Sequence, residues 1–149
     1  MRVRTAILAC GLMLAMGTAA LAEDGQAAFQ HRLDTMKQMG RALYVAIGRV
    51  AKGRTEFGPD TVAAADTIAR LTSEIATLFP PGSDVAQSNM KPAILSAPEK
   101  VSKLAVNVQA ATPGFVADVK SGDKARIAAA YATMSKACDA CHSEFRKEE

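Results

Sequence analysis

The sequence contains few of the residues from which most catalytic sites are built. Among its 149 residues are two histidines, three cysteines and no tryptophan. The carboxylates are scattered along the chain, and no nucleophile–base pair or second group of metal ligands stands out. We therefore expect a protein that is not an enzyme in the strict sense.

Strand patterns are also missing. No segment alternates β-branched and polar residues with the period of two that marks a half-buried strand. The chain is instead rich in alanine, and its apolar residues recur at steps of three and four. These patterns indicate an all-α fold.

The sequence shows no clustered basic face, which nucleic-acid binding would require. The full chain has 18 basic and 15 acidic residues, a formal charge of +3. Arg2 and Arg4 belong to an N-terminal segment without acidic residues, and the rest of the chain is nearly neutral. No nucleic-acid partner is expected.

The N-terminus has the features of a secretory signal peptide. Arg2 and Arg4 precede an apolar run, residues 6–16, that is too short to span a bilayer. Ala20-Leu21-Ala22 then provides a small-residue cleavage site. We expect residues 1–22 to be removed on export to the periplasm.

Cleavage would leave residues 23–149, a length typical of one domain. Ile7-Leu8-Ala9-Cys10 faintly resembles a lipoprotein cleavage box, but the apolar run before it is too short. Removal of Cys10 with the signal peptide would leave Cys138 and Cys141 as the only cysteines of the mature chain.

These two cysteines lie in the run Cys138-Asp139-Ala140-Cys141-His142 near the C-terminus. On a helix, residues three apart share a face, so both thiols can reach the two vinyl groups along one edge of a porphyrin. The histidine after the second cysteine then lies under the macrocycle, where its imidazole can bind the iron axially. The motif predicts covalently attached haem c, with His142 as an iron ligand.

Two other interpretations of the cysteine pair are less favoured. A thioredoxin-type dithiol should follow a strand and open a helix, and no such strand is predicted. A zinc site needs four ligands, and the mature chain has no third cysteine to offer.

Glycine and proline divide the mature chain into four amphipathic segments. The first has a buried stripe typical of a bundle helix. Its members are Phe29, Leu33, Met36, Gly40, Leu43, Ile47 and Val50. Helices are predicted at about residues 26–52, 60–78, 96–120 and 123–147, with an irregular connection at 83–95. Four such helices predict an antiparallel four-helix bundle with the haem in its core.

Local signals refine the helix ends. Asp60 is a good N-cap for the second helix. Ser96-Ala97-Pro98-Glu99 resembles a capping box that starts the third helix. Pro113 lies inside that helix and predicts a kink or break there.

With these features the chain resembles the class II c-type cytochromes, that is, cytochrome c′ and its low-spin relatives. Residues 138–146 match the C-terminal C-x-x-C-H-x-x-[FY]-[RK] motif of that family. Arg32-x-x-x-Met36-Lys37-x-x-Gly40 matches its first-helix pattern, and residues 78–82 and 91–95 resemble its connecting segments. The resemblance covers essentially the whole mature chain.

The resemblance implies that His142 is the proximal ligand and that Met36 decides the function. In cytochrome c′ an apolar side chain at this position leaves the iron five-coordinate, and such haems bind nitric oxide or carbon monoxide. In the low-spin branch a methionine ligates the iron, and His/Met ligation suits electron transfer. Met36 therefore either binds the iron or packs over the haem as a core residue. The surrounding motif slightly favours ligation, and Met39 is the weaker candidate.

Two basic residues have open roles. Arg32 matches the family arginine near the haem edge, where it would pair with a propionate. The alternative is a solvated charge on the helix surface. Arg146 either screens the imidazole of His142 from solvent or interacts with the haem, or, as we favour, only complements the helix dipole. His31, the remaining histidine, is expected at the surface.

The resemblance also implies partners. A carrier would exchange electrons with periplasmic or membrane-bound redox proteins. Homodimers in the family form through the first two helices, and Ala42, Val45 and Ala46 could pack in such an interface.

Tyr44 and Tyr131 are expected in the core. The haem cavity should be lined by Leu33, Met36, Tyr131, Cys138 and His142.

Overall fold

A computed structural model describes the backbone of residues 14–147 and the side chains of residues 24–147. Its helices are α1 (Leu14–Gly40), a π-helix (Arg41–Ile47), α2 (Gly48–Ala51), α3 (Pro59–Thr72), α4 (Pro98–Lys120) and α5 (Lys124–Phe145), with 3-10 turns at Ile75–Thr77 and Pro92–Ile94. No strand occurs among these residues. Most of the predicted signal peptide, residues 1–13, lies outside the described residues, so its cleavage stays a prediction.

The α1, π and α2 segments follow one another without a break and form the first helix of a four-helix bundle. The other three are α3, α4 and α5, with α4 packed between α3 and α5. The predicted all-α bundle is therefore confirmed. Between residues 14 and 147 no helix is both long and apolar enough to cross a membrane.

The main core follows the predicted apolar stripes. It joins Leu43, Ile47 and Val50 of the first helix to Ile68, Val119, Ile127 and Met134 of the other three, among other buried residues. A smaller cluster of Met90, Ile94, Val101 and Phe145 closes the end of the bundle that carries the cysteine motif. Ala42, proposed above as a dimer contact, is buried in the main core, whereas Val45 is exposed.

Several predicted helix ends are wrong. The first helix already includes Leu14, the first residue that the structure describes, although its start was predicted near Gln26. The second helix loses its α-helical form after Thr72. The N-cap of α3 is Gly58, and Asp60 lies in the first turn instead. The Ser96 hydroxyl donates to the carbonyl of Ala93 at 3.0 Å, so Ser96 does not form the expected capping box.

A kink or break was predicted at Pro113, and the structure has no break there, because α4 runs continuously through this residue. A proline removes one backbone N–H, here the one that would bond to the Gln109 carbonyl. Pro113 is exposed, so water can hydrate that carbonyl. Thr112 and Phe115 beside it are buried and hold the helix against the core.

Candidate haem-binding site

A cavity of about 710 Å³ lies at the end of the bundle where α5 terminates. Its volume falls within the range of about 300–1,000 Å³ typical of ligand pockets. Cys138, Cys141 and His142 line it from α5, while Leu33 and Met36 line it from α1. Four of the five expected lining residues are thus confirmed. Tyr131 does not line the cavity.

The two thiols on α5 are free and half-buried. Burial, reinforced by the Asp139 carboxylate, raises the pKa of the Cys138 thiol to about 11. Burial and Glu144 also raise the pKa of Cys141. Reactive redox cysteines have lowered pKa values, so this environment does not favour a redox dithiol.

The His142 side chain is half-buried at the same wall. Burial lowers the pKa of His142, and the positive charge of Arg146 lowers it further. The neutral imidazole that results can present a ring nitrogen to a metal. Arg146 itself is the C-cap residue of α5, and its N–H donates to the His142 carbonyl at 2.9 Å.

Residues of the first helix form another part of the cavity wall. Met36 is half-buried there, together with Met39 and Gly40. The structure therefore brings the thioether of Met36 and the imidazole of His142 to one cavity. Met39, although off the predicted stripe, lines it as well.

The π-helix continues this wall with Leu43 and Tyr44. Segments of π-helix are rare and often occur at functional sites. The Tyr44 hydroxyl donates to Asp139 Oδ1 at 3.4 Å, which links the first helix to the cysteine motif. Its ring packs edge-on against Tyr131, with centroids 6.3 Å apart. Tyr44 is nevertheless 39% exposed, so the expectation of a core position was wrong.

Arg32 is buried, with 7% of its surface exposed, so its interpretation as a solvated surface charge was wrong. Its two terminal nitrogens donate to the Leu78 carbonyl, the Ser83 carbonyl and the hydroxyls of Ser83 and Ser88, at 2.7–3.2 Å. The guanidinium carbon also lies 5.8 Å from the ring centre of Phe29 and 5.5 Å from that of Phe79. Arg32 lines the cavity, and its role toward a propionate stays a prediction.

The connection before α4 supplies lining residues that the sequence did not reveal. Met90 is 5% exposed and lines the cavity together with Phe79 and Ile94. The connection has no helical or strand periodicity, so nothing in its sequence pattern pointed inward. His31, in contrast, is exposed as expected, with its Nε2 3.5 Å from Glu74 Oε2.

The residues at this cavity fit a haem. Within the described part of the chain no three His, Cys, Asp or Glu side chains converge to hold a metal ion by themselves. The cavity instead offers one imidazole and a thioether, the donors that bind haem iron in many cytochromes. Two cysteines one helical turn apart and largely apolar walls complete the arrangement.

Comparison with known proteins identifies the family. The family model described as Cytochrome C′ matches residues 27–146. The chain belongs to the cytochrome c′ family. Members of this family carry covalently attached haem c, so the cofactor predicted from the cysteine motif is confirmed.

Individual relatives span nearly the same length. Cytochrome c-556 from Agrobacterium tumefaciens (strain II Chrys) is 30% identical over 118 residues, which cover 78% of this chain and 94% of the relative. Cytochrome c′ from Thermochromatium tepidum superposes with a TM-score of 0.74 at 25% identity, over 83% of this chain and 97% of that one.

A second similar structure has a bound gas. It is a ferrous variant of cytochrome c prime from Alcaligenes xylosoxidans with nitric oxide, at 20% identity and a TM-score of 0.74, over 84% of this chain and 97% of that one. Another variant of the same protein has bound carbon monoxide.

Proposed function

We propose that this member of the cytochrome c′ family is a periplasmic one-electron carrier, with His142 as the proximal ligand and Met36 as the distal ligand. The observation that carries the proposal is the placement of both side chains at one cavity. A neutral imidazole and a thioether are the axial pair that raises a haem reduction potential and suits electron transfer.

The residues of the chain have separate tasks in this proposal. Cys138 and Cys141 hold one edge of the porphyrin, and the bound haem supplies the one-electron ferric/ferrous couple. His142 is held by the end of α5, and the buried side chains of Leu43 and Met90 give the cavity apolar walls. Apolar surroundings favour the less charged ferrous state.

The proposal includes the cellular setting. Export by cleavage near residue 22 would bring the chain to the periplasm, where soluble or membrane-bound redox proteins would be its partners. No substrate is transformed, so the protein acts as a carrier and not as an enzyme. A homodimer through the first two helices would use exposed residues such as Val45.

The visible spectrum of Met36→Ala tests the ligand pair. We expect a low-spin spectrum for the wild-type protein, with sharp split bands when reduced, and a high-spin spectrum for the variant. Met39→Leu is the matched control, because Met39 lines the same cavity and should leave the low-spin spectrum intact. A wild-type protein that is already high-spin, and unaffected by Met36→Ala, would contradict Met36 ligation.

A second function is supported by the nitric oxide and carbon monoxide complexes of the Alcaligenes xylosoxidans protein. In this case Met36 would pack over the haem without binding the iron, and the protein would capture a diatomic gas. The two functions separate in the spectrum of the ferrous wild-type protein before and after carbon monoxide is added. A high-spin spectrum that changes when the gas is added favours gas capture. A low-spin spectrum that carbon monoxide changes readily only in Met36→Ala favours the carrier.

A further inference from the structure

The Arg32 guanidinium is an unusual group to find in a protein interior. It is 7% exposed, and its four hydrogen bonds to the described residues all go to neutral acceptors. A buried charge with no carboxylate in contact is costly. The nearby charge of Asp84 offsets only part of the desolvation that lowers the Arg32 pKa. The hydrogen bonds that Arg32 makes within the protein therefore give it a structural role beside the predicted one toward a propionate.

The acceptors of Arg32 all belong to one segment, the connection from Leu78 to Lys91. Ser83 accepts through both its hydroxyl and its carbonyl, and Ser88 through its hydroxyl. The Ser88 hydroxyl also accepts from the Met90 N–H at 3.2 Å. Arg32 thus bonds to the connection at Leu78, Ser83 and Ser88. Through Ser88 it also restrains Met90, which belongs to the smaller apolar cluster.

The far end of this connection pairs with the residues that follow the cysteine motif. Met90 and Arg146 form an antiparallel bridge. The Lys91 N–H donates to the Phe145 carbonyl, and the Lys147 N–H to the Asn89 carbonyl, each at 2.7 Å. The Lys147 ammonium adds a bond to the Ser88 carbonyl at 2.9 Å.

The end of α5 is therefore held from outside the helix. Arg146 is in the bridge, and its N–H donates to the His142 carbonyl. Hydrogen bonds, joined by short backbone segments, run from Arg32 through Ser88 and the bridge to the backbone of His142. Helix ends normally fray, and this series opposes fraying at the turn that carries the imidazole.

We infer that Arg32 is a positioning residue for His142, which it restrains through the 78–91 connection and the bridge to residues 145–147. The inference rests on the proposed role of His142 as the proximal ligand. It does not depend on whether Met36 binds the iron. An arginine suits the task because its planar fork carries several fixed donors, whereas a lysine ammonium would satisfy fewer of these acceptors.

Amide hydrogen exchange of the haem-loaded protein tests this restraint. The reporters are the Lys91 and Lys147 amides, which make the two bridge hydrogen bonds. In Arg32→Met we expect both amides to exchange at least about tenfold faster, since a local opening replaces the closed bridge. Arg32→Lys should show a smaller increase. Should Arg32→Met fail to fold, Ser88→Ala removes one acceptor and should give the same direction of change.

The matched control is Ile127→Val, a substitution in a fully buried residue near the other end of α5. It should lower the unfolding midpoint of the protein. It should not selectively increase the exchange rates of the two bridge amides. A second readout is the paramagnetically shifted ring resonances of His142, which should move in Arg32→Met and Ser88→Ala but not in Ile127→Val.

Unchanged bridge amides and unchanged His142 resonances in Arg32→Met and Ser88→Ala would overturn the inference. So would bridge amides that respond to Ile127→Val as strongly as to the Arg32 variants, because the effect would then be one of general stability. Neither outcome bears on Met36, whose ligation is decided by the spectrum of Met36→Ala.

Discussion

Gly48 illustrates how the π-helix constrains a single residue. A Cβ at this position would lie 3.0 Å from a ring carbon of Tyr131 and 3.2 Å from the Leu43 carbonyl. That carbonyl is close because it accepts from the Gly48 N–H five residues later in the chain, as in a π-turn. The ring of Tyr131 is held in turn by Tyr44 and by the Lys52 ammonium above it. The position therefore has little room for a methyl group.

Gly48→Ala should destabilise the protein by about 1–3 kcal/mol, the usual cost of an extra methyl group in a packed site. Gly114→Ala is the matched substitution, since Gly114 lies in the middle of α4 with nothing within 4 Å of the added Cβ. It should stabilise by about 0.5–1 kcal/mol, because alanine replaces glycine in a helix. Denaturant unfolding measures both free-energy changes. An increase in the stability of Gly48→Ala would mean that the Tyr131 ring moves aside at little cost.

Tyr44 makes stability depend on pH in the alkaline range. Burial, followed by the charges of Cys138 and Asp139, raises its pKa from 10.0 to about 12. The Cys138 contribution applies only to the free thiol. Between these values the unfolded chain releases the phenolic proton while the folded chain keeps it, so stability falls as pH rises.

Tyr44→Phe should therefore lose less stability than wild type between about pH 9 and about pH 11. The difference is expected to be small, because Tyr44 is 39% exposed and solvent screens its surroundings. Denaturant midpoints at the two pH values measure the difference, together with the part of the tyrosinate absorbance that Tyr44 contributes and the variant lacks. Parallel loss of stability in both proteins would show that Tyr44 keeps its ordinary titration.

Among the helices, α5 has a side-chain cap at its start and the bridge at its end. Asp123 is the N-cap, and its side chain accepts from the Arg126 N–H at 2.8 Å. The cap lies at the opposite end of the helix from the cysteine motif. Its effect on stability should therefore be separable from any effect on the haem.

Asp123→Ala should destabilise the protein by about 1 kcal/mol, the typical value for a lost N-cap. Asp123→Asn, which keeps an oxygen acceptor, should retain most of the stability. Both variants should have the wild-type visible spectrum. The unfolding midpoint and the spectrum are the two measurements, and a spectral change in Asp123→Ala would show that the two ends of α5 are coupled.

For the whole molecule, the cavity means that haem contributes to the fold as well as to function. The haem site measures about 710 Å³, and its walls are largely apolar. A bound haem covers these walls, and a ligand that binds only the folded chain stabilises it.

The double variant Cys138→Ser/Cys141→Ser, produced without haem, should therefore be helical but loosely packed. We expect far-UV circular dichroism close to that of the holoprotein, weak near-UV signals and a broad unfolding transition, the signs of a molten globule. Sharp, cooperative unfolding of this variant would mean that the apolar core carries the fold without the haem.

Much of the architecture followed from residues close together in the sequence. The helical segments, the haem motif and its place on the last helix depend on spacings of three to seven residues, which any helix converts into one face. The family match over residues 27–146 agrees with this part of the prediction. The helix ends and interruptions were predicted less well. The Ser96 hydroxyl bonds to the Ala93 carbonyl instead of capping a helix, and α4 continues through Pro113.

Only the tertiary structure decided the surroundings of the site. Arg32 finds its acceptors 46 to 56 residues away, and Lys147 reaches Ser88 across 59 residues. Met90 turns inward because the end of α5 pairs with its connection, not because of any local pattern. Periodicity reports which face of a helix is apolar, but it carries no information on contacts between distant segments. The buried charge and the bridge beside His142 therefore became visible only in the folded chain.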